Sequence, residues 1–212
     1  MILHHYFMEE KAKEDPASLT ERSSSLAQTY PGYLERGLIE FEQYIMIALV
    51  LTREFGLLES LVTNAYERYN FLDRSGDDAP HLRRNQNALP GYFLTYAWYK
   101  LGREAVSDPA EAWVQAIDNY TTTFDDYKYL ILLNWFLVDY LHSTGERERA
   151  LKFYEAALEL TRFAGYDFYT ALLLRNDPLQ RSESLELAAE MIRNSGMNET
   201  LFHYSFGPSP AP

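Results

Sequence analysis

Cysteine is absent from the 212 residues, which excludes disulfides, thiolate metal ligands and cysteine nucleophiles together and points to a reducing cytoplasm. Long apolar runs are missing too. The longest, residues 129–141, is interrupted by Asn134 and Asp139 and is too short to cross a bilayer, so no membrane partner is expected. The opening residues MILHHYFM turn acidic at Glu9 and Glu10, without the basic start and extended apolar stretch of a secretory signal. Positive charge is scarce. Nineteen Lys and Arg stand against 31 Asp and Glu, a net charge of −12, and a phosphate backbone would be repelled by that field. No nucleic acid is expected as a partner, and the one compact basic cluster, His81, Arg83 and Arg84, reads as a solvated loop.

Motifs of catalysis are equally lacking. There is no G-x-S-x-G, no Walker A and no G-x-G-x-x-G. The histidines are His4, His5, His81, His142 and His203, and no H-E-x-x-H or E-x-x-H pair places two ligands on one helix face. Glu35, Glu40 and Glu42 lie near an apolar run, yet the Glu-x-x-His partners of a di-iron bundle are missing, so they read as solvent-facing acids. Ser23, Ser24 and Ser25 read as polar decoration of a helix or its start. The residues assign no catalytic group, no metal ligand and no cofactor.

What is present is an ordinary globular mix, 47% hydrophobic and 24% charged, with an aromatic share of 15% that supplies large contact area per side chain. Apolar residues recur at helical spacing. Residues 33–54 predict a long helix through Leu34, Leu38, Phe41, Ile45 and Ala48, ended by Gly56, with a return helix over 57–71. Residues 73–89 collect Gly76, Asp77, Asp78, Pro80, Asn85 and Asn87 and read as a linker after an N-terminal hairpin region over 1–72. Further helices are predicted over 90–103, 109–123, 127–143, 147–163, 167–175 and 182–194, joined by short turns that favour antiparallel neighbours. Asp-Pro at Asp15, Asp108 and Asp177 suits a helix start, with Asp as the cap and Pro in the first turn. Residues 197–212 read as a C-terminal tail, since FGPSPAP at 206–212 cannot continue a helix. The expected class is all-α.

The stretch 132–160 holds an apolar helix, a turn at Gly145 and a second helix with Ala150, Tyr154 and Ala157 in line at i, i+4 and i+7. Ala116 and Tyr120 precede Ala150 and Tyr154 by 34 residues. This pattern resembles the tetratricopeptide repeat, in both its period and its order of small, aromatic and small residues. Trp98, Leu101 and Gly102 match the W-x2-L-G of a first helix, but they come too early for the period unless residues 103–108 are an insertion. In the later unit Asn134 takes the Trp position, with Trp135 one residue on, and the closing Pro is missing. The resemblance implies antiparallel hairpins over 90–196 stacked into a right-handed α-α superhelix with a concave groove lined by first helices. On it, Tyr96, Tyr99, Lys100 and Arg103 of one unit and Trp135, Asp139 and His142 of the next would grip a peptide or a partner helix of another protein.

Two other classes stay open. One is a small-molecule sensor or enzyme with a pocket between helices, where His142 is the titratable base. The other is a structural subunit whose aromatic surface makes a homo-oligomer. The shape of the aromatic surface separates them: an open strip, a closed cavity or a flat patch.

Overall fold

The computed structural model describes residues 43, 45–69, 89–103, 109–123, 127–197, 199–202, 204 and 206. Among these residues every regular element is helical and no strand occurs. The chain divides into two compact units, residues 1–106 with 211–212, and residues 107–210.

In the first unit a helical segment over 45–52 is followed by α1 (Phe55–Tyr69) and α2 (Leu89–Lys100). The apolar periodicity from Ile45 to Leu51 is buried, as are Leu58, Leu61 and Val62 of α1. The break between the two helices differs from the expectation that Gly56 supplies it. Arg53 turns left-handed at φ 61°, and the amides of Arg53 and Glu54 bond back to the carbonyls of Val50 and Leu49, closing the first helix three residues early. Gly56 lies inside α1. The expected linker over 73–89 falls outside the described residues except for Leu89, which opens α2. Since α1 and α2 pack on one another, the elements on either side of it belong to one unit, and the division falls after residue 106.

The second unit contains α3 (Pro109–Thr123), α4 (Tyr127–Ser143), α5 (Arg147–Ala164), α6 (Asp167–Arg175), α7 (Ser182–Ser195) and a 3₁₀ turn over Glu199–Phe202. Each helix packs against the next, α4 against α5 most extensively. The α4–α5 turn needs Gly145 at φ 85°, where the amides of Gly145 and Glu146 close onto His142 and Leu141. Gly165, at φ 68°, ends α5 with the equivalent pair of bonds to Arg162 and Thr161. The line Ala150, Tyr154 and Ala157 is fully buried, so small side chains let neighbouring helices approach α5 closely around one aromatic.

Pro109 opens α3 as the Asp-Pro reading expects, while Asp108 and the pair at 15–16 lie outside the described residues. The third pair behaves differently. Asp177 and Pro178 lie in the α6–α7 connection, and α7 begins only at Ser182, with no side-chain cap from Arg181. Of the stretch expected as a tail over 197–212, residues 198, 203, 205 and 207–212 lie outside the described residues. Leu201, Phe202 and Tyr204 are buried, with Phe202 against Phe168 at 5.4 Å between ring centres and Tyr204 edge-on to Trp135 at 5.3 Å.

Candidate functional site

The residues that the repeat resemblance sets along a groove fall into two groups, one in each unit. In the first, Tyr96 and Lys100 are 1% and 2% exposed, Tyr99 is half-buried with its ring 6.1 Å from that of Tyr96, and the Lys100 ammonium lies 5.6 Å from the Tyr99 ring centre. Arg103 is exposed and paired with Glu59 of α1. In the second, Trp135 and Asp139 are buried in α4, and the Tyr204 hydroxyl donates to the Asp139 carboxylate. His142 is half-buried beside Phe206, with 6.0 Å between ring centres, and its Nδ1 closes no hydrogen bond among the described residues. Tyr96, Lys100, Trp135 and Asp139 are therefore enclosed by packing and present no open strip. The physical reason is plain in α4, where every residue from 129 to 139 is buried. A helix that is apolar nearly all round has no face to spare for a partner.

Among the described residues of the second unit, an open surface lies elsewhere. A groove of about 740 Å³ runs between α5 and α7, which both pack on α6. Tyr154, Leu158 and Leu174 form its covered floor, while Phe163 and Leu187 stand exposed in it at 74% and 40%. Glu155, Glu159 and Arg162 border it from α5, Glu183 from α7, and Arg181 from the connection before α7. A second hollow of about 370 Å³ shares Leu187 and is bordered by Asp167, Glu190, Met191, Asn194 and Ser195. Phe163 and Leu187 leave the buried lines of their helices, which run through Ala150, Tyr154 and Ala157 in α5 and through Ser184, Ala188 and Ile192 in α7. That departure was the available sequence signal, and a search for one apolar stripe per helix passes over it.

One end of the groove is built on a polar clasp. The Asp177 carboxylate, fully enclosed, accepts the Leu179 amide at 2.9 Å, the Arg181 Nε at 2.5 Å and the Ser184 hydroxyl at 2.7 Å. Burial by itself pushes the Asp177 carboxyl up, but the bonds from Arg181, Ser184 and Leu179, with the guanidinium charge, outweigh it and hold the group below the usual carboxylate range. Bonding to Asp177 raises the Arg181 guanidinium in turn. That guanidinium sits 5.8 Å from the Tyr154 ring centre, a cation over an aromatic face. Burial first, and the Asp177 charge second, raise the Tyr154 phenol, with Ser184 and Arg181 acting in the opposite direction. The clasp thus ties the α6–α7 connection to the first turn of α7 and sets Arg181 against α5.

Among the described residues no group of three or more His, Asp or Glu side chains is placed to hold a metal ion, and no helix is long and apolar enough to cross a membrane. No protein-family model, curated protein or solved structure matches the chain.

Proposed function

We propose that the chain is a protein–protein interaction module that holds a peptide or partner helix in the groove between α5 and α7. The observation that carries this is the exposure of Phe163 and Leu187 in an open hollow whose floor is apolar. Large side chains left in water beside a concave surface mark a contact site, because covering them recovers the free energy of apolar burial. The tetratricopeptide-like arrangement belongs to the same proposal. It draws support from the buried line Ala150, Tyr154, Ala157 and from the consecutive packing of α3 to α7. Its earlier motif, Trp98 to Tyr120, straddles the division between the units, so the repeat reading rests chiefly on α4 and α5. The proposal takes a protein as the partner and assigns no catalytic step, and it keeps the cytoplasmic setting that the cysteine-free composition favours. The groove lining contains neither His nor Lys, and its Ser184 hydroxyl is already given to Asp177.

The test is a paired measurement on Phe163→Ser/Leu187→Ser. Both side chains are exposed, and Phe163 makes one edge-on ring contact with Tyr127 at 5.4 Å, so the thermal midpoint should correspond to a stability change of no more than about 1.5 kcal/mol. Quantitative affinity capture from the native extract should lose at least one protein with the variant. Recovery of the same proteins in the same amounts would remove the groove from the function.

A further inference from the structure

We infer that the occupant of the α5–α7 groove is an amphipathic helix carrying Lys or Arg on both sides of its apolar stripe. This rests on the docking reading above and names the chemistry of the partner. The two adjoining hollows are bordered by five carboxylates, Glu155, Glu159, Asp167, Glu183 and Glu190, against two guanidinium groups. One of these, Arg181, is already committed to Asp177. The carboxylates stand on both sides, Glu155 and Glu159 on α5 and Glu183 and Glu190 on α7, so a ligand seated on Phe163 and Leu187 meets negative charge along both edges. The net charge of −12 extends that attraction to longer range and raises the encounter rate of a basic partner.

Two alternatives are disfavoured by the same surface. A second copy of this chain would bring a net charge of −12 to an acidic groove and be repelled. An extended peptide would find no sheet edge, because both walls are helices whose backbone groups bond internally, and its own amides would lie unpaired over Leu158 and Leu174. A helix satisfies its own backbone and presents apolar anchors at i, i+3, i+4 and i+7, the arrangement a groove between two helices accepts.

The experiment uses the full chain and three labelled peptides of about 18 residues, long enough to be helical. One has a Leu stripe flanked by Lys, one the same stripe flanked by Glu, and one the Lys sequence broken by two prolines. Fluorescence anisotropy measures affinity and amide chemical shifts locate the site. The Lys helix should bind about tenfold or more tighter than either other peptide, with shifts centred on Phe163 and Leu187. Glu155→Lys/Glu159→Lys, whose thermal midpoint is checked in parallel, should weaken it about tenfold and reduce its dependence on salt. Equal or tighter binding of the Glu or proline-broken peptide, shifts elsewhere, or indifference to the charge reversal would overturn the inference. If the Lys helix fails to bind while capture of a native protein still depends on Phe163 and Leu187, the partner chemistry is wrong and the docking reading stands. If neither depends on the groove, both fall.

Discussion

Removing the Asp177 carboxylate tests whether the clasp behind the groove holds the α6–α7 connection. In Asp177→Ala the buried Ser184 hydroxyl and the Leu179 amide lose their acceptor. A buried group left unsatisfied costs about 1–3 kcal/mol, and Leu179, half-exposed, recovers part of this from water. Arg181 has 42% of its side chain in solvent, so the lost ion pair adds only about 0–1 kcal/mol. The sum is about 1–4 kcal/mol at neutral pH, a midpoint drop on the order of 10 °C for a unit of this size. Asp177→Asn should fall between, since its Oδ1 still accepts the Leu179 amide while the charge facing Arg181 is gone. The pH dependence has a definite sign. Because the folded carboxyl is held below its unfolded value, its contribution is fully present above about pH 4 and is lost as pH falls through the folded value. Urea unfolding of wild type and Asp177→Ala from pH 7 to pH 3 should show a stability gap that narrows only in the acid range. A gap under about 0.5 kcal/mol at pH 7, or one that persists undiminished at pH 3, would refute the account.

Ala150→Trp should destabilise by about 1–3 kcal/mol or more in denaturant unfolding, because Ala150 is fully buried on the line where α5 meets its neighbours. Trp135→Ala should cost about 3–5 kcal/mol, the signature of a core aromatic; a smaller loss than about 1 kcal/mol would return Trp135 to the surface. Tyr204→Phe removes a donor from the enclosed Asp139 carboxylate and should cost about 1.5–3 kcal/mol, readable as an earlier thermal midpoint. Gly165→Ala should cost about 1 kcal/mol from the left-handed backbone alone, since no heavy atom lies within 4 Å of the added Cβ; a neutral result would mean that α5 ends differently.

Helix class and most helix boundaries of the second unit were legible in the sequence because they depend on local physics. The 3.6-residue spacing, Pro109 at a first turn, and the glycines after α4 and α5 act within a few residues of chain. The expected spans 109–123, 127–143 and 167–175 coincide with α3, α4 and α6 for that reason. The break at Arg53 escaped the same reasoning because a left-handed non-glycine residue carries no composition signal, whereas the nearby Gly56 offered a false one. The site was less legible still. Periodicity tells which residues share a face, but it cannot say which of several apolar faces is covered. That depends on elements remote in sequence: Tyr204, 65 positions from Asp139, donates to its carboxylate and packs edge-on against Trp135. By the same token the groove that holds Phe163 and Leu187 is lined jointly by α5 and α7, each packed on α6, and no single helix encodes it.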